Sequence, residues 1–326
     1  MSSHNFVLST SSSAYADESK GKYHTELHNA VIVGEIKAEE IEALAAAGVE
    51  GVESTATQID VAQAREARNI CQANGIKIHS VMRSAMFNHP SRVEEDIKAL
   101  KHALRIASAY GASSCLCVPG RVDAPAIKPH DFRIKFDPTT CMVSEVVDGD
   151  NAPFASYIEA QNNATRCAQR YVPEVAAVAA YEGIRIGLEN VWNNLWCAPE
   201  LYAAFIHSFQ TPWVKSYFDL GNHVKYAPTQ DWLRALGKNS IVKLHFKDYL
   251  IDPNDHNSGR FVPVGLGSND WALIRQTLDD IDYSGFVTIE FEEALSRKYT
   301  PAQNVRKFKN FFNGVDLMDG VELIQE

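Results

Sequence analysis

The chain is short of several things that would have decided its class early. It has six cysteines in 326 residues, at 71, 115, 117, 141, 167 and 197, and no two of them stand in a C-x-x-C pair. That excludes a zinc ribbon and a thioredoxin-type redox motif, and it favours reduced thiols in a cytoplasmic compartment. No apolar run approaches the roughly 18 residues that span a membrane. No run of Lys and Arg offsets a net charge of −10, so the surface repels a phosphate backbone and a nucleic-acid partner is not expected. The Ser-rich start lacks the basic and apolar regions of a signal peptide, although Ala14-Tyr15-Ala16 has the spacing of a cleavage site and keeps export open. No G-x-G-x-x-G follows any candidate strand to mark a dinucleotide site.

What is present is a globular composition, 45% hydrophobic and 22% charged, with a regular alternation of short β-rich runs and helical patterns. Strands are expected at Ala30–Gly34, Gly51–Ser54, Ile76–Val81, Ser113–Val118, Ile184–Asn190, Val214–Asp219, Ile241–Phe246 and Gly285–Glu290. Helices are expected at Ala38–Ala47, Asp60–Asn74, Val93–Tyr110, Ala155–Tyr181, Pro199–His207, Thr229–Leu236, Asn269–Ile281 and Pro301–Phe312, several of them stopped by a glycine. Eight strand–helix units in roughly 290 residues match an α/β fold of the (β/α)8 TIM-barrel type. A doubly wound sheet is the alternative. The expected organisation is an N-terminal extension over 1–28 and one barrel domain over 29–326. Residues 120–151, rich in Pro, Asp and Arg, interrupt the rhythm after the fourth strand. An irregular loop of that length is usually a lid or binding element, and Arg121, His130, Asp131, Arg133 and Lys135 suit that use.

A barrel's active site lies at the C-terminal ends of its strands. The last four strands end in Leu188-Glu189-Asn190, Phe218-Asp219-Leu220-Gly221-Asn222-His223, His245-Phe246-Lys247-Asp248 and Ile289-Glu290. Each thus presents one ligand-type side chain at the same level: Glu189, Asp219, His245 and Glu290. Any one alone is more simply a paired or core residue. Together, three carboxylates and an imidazole repel or strain unless a cation lies among them. Such an oxygen-rich set suits one divalent ion, Mn²⁺ first, with Mg²⁺, Co²⁺ or Zn²⁺ as alternatives. Around it, Asn222, His223, Arg260, His79, Glu53, Lys247 and Trp192 are candidate substrate contacts for a small carbohydrate. Trp192 and Trp271 offer flat faces for a sugar, with core packing an equal alternative.

These segments, with Gly259-Arg260-Phe261-Val262-Pro263-Val264-Gly265-Leu266-Gly267 leading to Asp270-Trp271 and the closing Tyr283-x-Gly285-x4-Glu290, resemble the xylose-isomerase-like barrel superfamily of sugar isomerases and epimerases. The nearest likeness is to its pentulose-phosphate 3-epimerase and hexulose-phosphate isomerase branch. It runs from about residue 30 to the C-terminus and is strongest in the second half. The resemblance implies a metal on Glu189, Asp219, His245 and Glu290, with Glu189 and Glu290 also serving as the catalytic acid/base pair. It also shows departures. Ketose 3-epimerases of free sugars carry a Glu where this chain has Leu195 and a His where it has Asn222, which points away from a plain free ketose. A lyase or deglycosidase acting on 3-keto-glycosides by the same proton abstraction, and a non-catalytic sugar-binding barrel, are the rival readings. A homo-oligomer is compatible with all three.

Overall fold

The computed structural model describes residues 22–123, 132–290 and 299–322. In chain order the elements are β1 (Leu27–Val33), α1 (Ala38–Ala46), β2 (Gly51–Ser54), α2 (Val61–Ala73), β3 (Lys77–Met82), α3 (Val93–Tyr110) and β4 (Ser114–Cys117). A small hairpin follows, β5 (Lys135–Phe136) and β6 (Val143–Glu145), then α4 (Ala155–Glu182) and β7 (Arg185–Leu188). The second half holds α5 (Pro199–His207), β8 (Val214–Asp219), α6 (Thr229–Leu236), β9 (Ile241–Phe246), β10 (Asp248–Asp252) and β11 (Asp255–Val262). It closes with α7 (Trp271–Asp280), β12 (Gly285–Ile289) and α8 (Pro301–Asn313).

Eight parallel strands close a barrel in the order β1-β12-β9-β8-β7-β4-β3-β2. This is the (β/α)8 architecture, and its local causes are readable. Asp60 caps α2 by accepting from the Gln63 amide while Gln63 answers to the Asp60 amide, a reciprocal capping box. Gly111, at φ 75°, ends α3 in the left-handed conformation that a residue with a β-carbon adopts at a cost. Strand residues facing outward, among them Leu188, Phe218, Leu244 and Phe246, are buried in the layer beneath the helices.

Two features depart from the sequence pattern. The first strand starts at Leu27 rather than Ala30, because His28 and Asn29 are polar yet pair with Phe286 and Val287 of β12. The interruption after β4 is not wholly irregular. Its hairpin β5–β6 is pinned to α4 by Asn162, which accepts from the Val143 amide at 2.7 Å and donates to the Val143 carbonyl at 2.9 Å. Of the residues expected to make a lid, Arg121, Arg133 and Lys135 are described, whereas His130 and Asp131 lie outside the described residues. Among the described residues no helix is long and apolar enough to cross a membrane. All six cysteines are free thiols.

Candidate metal centre

Along each barrel strand alternate side chains point to the axis. On β8 these are Lys215, Tyr217 and Asp219; on β9 and its continuation, Lys243, His245 and Lys247; on β12 and its continuation, Phe286, Thr288 and Glu290. The uppermost members, joined by Glu189 just past β7, form the centre. One ligand atom from each of Glu189, Asp219 and His245 lies within 4.8 Å of the others, and all three residues are buried. Glu290 adds its Oε2 at 2.8 Å from His245 Nδ1, while Asp219 Oδ2 is 3.9 Å from the same nitrogen.

Each donor is held by a neighbouring partner, and Glu290 Oε2 and His245 Nδ1 face each other. Asp219 Oδ1 accepts from the amides of Gly221 and Asn222, both at 2.7 Å. Its Oδ2 is buried with no hydrogen-bond partner. The glycine is required there, since a β-carbon on Gly221 would fall 2.7 Å from the Lys247 carbonyl. Glu189 Oε1 accepts from Asn222 Nδ2 at 3.2 Å. Glu290 Oε1 accepts from Lys247 Nζ at 3.0 Å, and Lys247 also lies over the Phe261 ring at 4.3 Å. His245 is oriented from behind: Nε2 donates to Glu53 Oε2 at 2.9 Å, so Nδ1 faces the carboxylates. Glu53 Oε2 accepts in turn from the Tyr217 hydroxyl at 2.7 Å. A carboxylate behind a histidine fixes its ring and raises its basicity, the usual support of a metal-ligating imidazole.

The electrostatics follow from burial. Desolvation pushes the Glu189 carboxyl up to about 8, with Asp219 and Glu290 adding repulsion and His245 opposing it. Burial likewise raises Asp219 to about 6, against the pull of Lys247 and His245. Burial works in the same direction on Glu290, but the hydrogen bonds and charges of His245 and Lys247 outweigh it and hold that carboxyl well below its ordinary value. Burial disfavours the His245 cation, yet Glu53 and Glu290 hold its pKa well above the usual histidine range. Three converging carboxylates thus require positive charge among them. The donor set is hard and anionic, and Asp219 Oδ2 is a buried acceptor with no protein donor. These residues fit a divalent cation.

The remaining sequence-selected residues divide by depth. Asn222, at 5% exposure, touches Glu189 and borders the centre. Trp192 borders it less directly: its Nε1 donates to the Asn222 carbonyl at 2.6 Å, its ring stacks on Phe261 at 4.7 Å, and Lys225 lies 3.4 Å over it. Arg260 is exposed on β11 of the β10–β11 hairpin. Three others lie inside the fold. Glu53 is fully buried behind His245. His79, also fully buried, stacks on Phe286 at 4.5 Å and hydrogen-bonds Thr288 through Nε2 at 3.1 Å. His223, 1% exposed, donates from Nε2 to the Asn190 carbonyl at 2.7 Å and so holds the end of β7. Leu195, at the position where free-ketose epimerases carry a Glu, is 1% exposed and part of the core. Trp271 packs on Phe246 and Phe311 and donates to Asp248.

Two participants escaped sequence reasoning. Tyr217 was readable in principle, since it precedes Asp219 by two and therefore shares its face of β8. Asp248 organises the rim: its Oδ2 accepts from the amides of Gly265 and Gly267 at 3.0 and 2.9 Å and from Trp271 Nε1 at 3.0 Å. That role links a β-strand end to a loop seventeen residues on, which no local pattern shows.

Comparison with known proteins adds the following. The sequence matches the family described as "Xylose isomerase-like TIM barrel" over residues 41–311. No curated protein sequence matches significantly. Among solved structures, an IOLI protein with a bound zinc atom aligns at a TM-score of 0.64 and 14% identity, covering 90% of this chain and 99% of its own. Mannonate dehydratase from Streptococcus suis serotype 2 aligns at 0.62 and 12% identity, covering 91% and 96%. D-psicose 3-epimerase, solved with D-fructose, aligns at 0.57 and 14% identity, covering 90% and 92%. At these identities the likeness establishes a shared fold.

Proposed function

The chain belongs to the xylose isomerase-like TIM-barrel family, and we propose that within it the protein is a divalent-metal-dependent isomerase or epimerase of a sugar or sugar phosphate. The observation that carries this reading is the convergence of Glu189, Asp219 and His245 within 4.8 Å, beside Glu290. Glu189, Asp219, His245 and Glu290 would hold the ion, Mn²⁺ by preference for an oxygen-rich set, with zinc a candidate by analogy with the IOLI protein. When bound, the cation supplies Lewis-acid charge that lowers the cost of taking a proton from a carbon beside a carbonyl.

The residues of the chain do the rest. In the barrel order, β8 and β9 stand between β7 and β12, so Glu189 and Glu290 flank Asp219 and His245 rather than adjoin one another. A sugar seated between them meets a carboxylate from either side. One takes a proton and the other returns one, to the opposite face in epimerisation or to the neighbouring carbon in isomerisation. Lys247 holds Glu290 Oε1, leaving Oε2 toward His245 and the centre. Asn222 holds Glu189 Oε1 and lines the same side. Proteins sharing this fold include a D-allulose 3-epimerase solved with D-allulose and a D-psicose 3-epimerase solved with D-fructose, both sugars being ketoses.

A second reading is elimination from a 3-keto-glycoside. It is favoured by the buried Leu195, which removes the acidic grip on a free ketose, and by a dehydratase among the neighbours. The test is metal analysis of the purified protein followed by solvent deuterium incorporation with ketoses, ketose phosphates and a 3-keto-glycoside. One bound divalent ion and deuterium beside the carbonyl of a recovered ketose support the first reading. Release of the aglycone supports the second. Absence of metal binding even with added Mn²⁺ overturns both.

A further inference from the structure

The opposite end of the barrel carries the opposite charge. The strands β9, β8, β7, β4 and β3 are consecutive neighbours in the barrel wall. Their lowest axis-facing residues are Lys243, Lys215, Arg185, Ser114 and Lys77; Arg185 and Ser114 pair directly, while Lys77, Lys215 and Lys243 pair with Gly51, Gly187 and Tyr217 and so step along the tilted wall. Four cations and a hydroxyl therefore line a continuous arc at the N-terminal mouth, in a chain whose net charge is −10. The rest of the mouth is closed by Phe286 and by His28, whose Nδ1 already meets Glu50 at 3.1 Å.

The arc lacks counter-charge. Among the described residues, none of Lys77, Arg185, Lys215 and Lys243 has a carboxylate within ion-pair distance. Lys215 reaches only the Asn239 carbonyl, and burial together with Arg185 holds its ammonium below its ordinary value. Lys243 is the telling member. It is 8% exposed, and its ammonium meets only the face of Phe286, 5.3 Å from the ring centroid. A buried ammonium among like charges costs several kcal/mol unless an anion answers it. Glu53, above it, uses Oε2 for His245 and Tyr217; its Oε1 has no hydrogen-bond partner and its charge favours the Lys243 ammonium, but the two form no ion pair.

We propose that this arc is a binding site for a compact multivalent oxyanion, a phosphate group either free or as a phosphate ester, at the end of the barrel remote from the metal centre. Three ammonium groups and one guanidinium fork along a single mouth suit a phosphate better than a single carboxylate. Lys243 would supply the inner contact, Arg185 a bidentate one, and Lys77 and Lys215 the rim.

The experiment is calorimetric titration of the metal-loaded full chain with inorganic phosphate, pyrophosphate and glycerol 3-phosphate at constant ionic strength. Saturable one-to-one binding by at least one probe is expected. Arg185→Ala and Lys243→Met should each weaken it about tenfold or more, and Glu290→Gln should leave it unchanged. Tighter binding of glycerol 3-phosphate than of phosphate identifies an ester as the ligand, and the reverse order identifies the free anion. Because Lys243→Met alters a buried position, Lys77→Ala and Arg185→Ala, both at exposed residues, stand as independent variants. The proposal fails if no probe saturates, if these exposed variants bind as wild type, or if Glu290→Gln abolishes the binding, which would assign it to the metal centre.

Discussion

Two buried polar clusters in this barrel can be set side by side. One is the candidate metal centre at the C-terminal ends of the strands. The other lies at the N-terminal end, where Asp279 and Arg275 of α7 meet the residues leading into β1. There the Asp279 carboxylate accepts from the amides of His24 and Thr25, both at 3.0 Å, and from the Thr25 hydroxyl at 2.7 Å. Arg275 donates to Thr25 Oγ1, to the Thr25 carbonyl and to the Phe312 carbonyl at 3.0–3.1 Å, and its guanidinium lies over Tyr23. Opposite charges sit together, and the cluster ties the start of the chain's first strand to α7 and α8. In the metal centre like charges converge, and Asp219 Oδ2 has no donor. A satisfied buried network lowers the energy of the fold, whereas an unsatisfied one is tolerated where a ligand completes it. The difference distinguishes a polar cluster that satisfies itself from one that a ligand would complete.

The sharpest way to break the comparison is to exchange one acceptor in each cluster. Glu290→Gln should cut solvent deuterium incorporation by about 10²–10⁴-fold, the usual weight of an acid/base group, with an unfolding midpoint close to that of the wild type. Next comes metal affinity: Glu53→Gln keeps the shape behind His245 but weakens its support, and divalent-ion affinity measured by competition with a chelator should fall about 10–100-fold. In the structural cluster, Asp279→Ala should lower unfolding free energy by about 2–3 kcal/mol in denaturant titration while leaving metal content unchanged.

The smallest effect is a pH dependence. Burial raises the Asp279 carboxyl, but the Thr25 hydroxyl and amide and the His24 charge outweigh it and set its pKa below the ordinary 3.8. A carboxyl depressed on folding stabilises the protein above its unfolded pKa, and that contribution is lost as pH falls through the folded value. Wild type should therefore lose stability more steeply than Asp279→Asn below about pH 4. Equal slopes in acid denaturation would show that the cluster does not couple charge to folding.

Much of the architecture was legible locally. Both ends of α3, α5, α6, β2, β8 and β9 fall where the sequence pattern puts them, and a glycine or proline marks several of these boundaries, among them Gly111 after α3, Pro199 in α5, and Pro228 and Gly237 around α6. The hairpin β10–β11 was not legible. Its ladder pairs Asp248 with Val262 and Tyr249 with Phe261, and neither strand shows the alternation that a half-buried sheet imposes. At the centre, the four candidate ligand positions were nameable because each stands at a strand end. Glu53 was expected at the rim as a substrate contact, yet its side chain lies inside the barrel behind His245, opposite a β3 whose extra residue, His79, shifts the β2–β3 register. A bulge of that kind leaves no trace in residue order. His223 was misleading for another reason: it follows a ligand strand, but its ring packs against Trp232 at 4.9 Å, a partner that only the fold supplies.

By itself, then, the residue order determined the number and succession of the eight barrel strands and the helices between them, though not the two hairpins, since helix and strand periodicities and their caps are properties of neighbours along the chain. It also determined which side chains stand at the strand ends. Closure of the barrel decided the rest. It brought β2 across the axis from β9, so that Glu53 meets His245 at 2.9 Å over 192 residues of sequence. It also set five neighbouring strands side by side, so that cations scattered from Lys77 to Lys243 line one mouth. Both arrangements arise from the axis that alternate side chains of all eight strands share, and no segment possesses that axis until the sheet has closed.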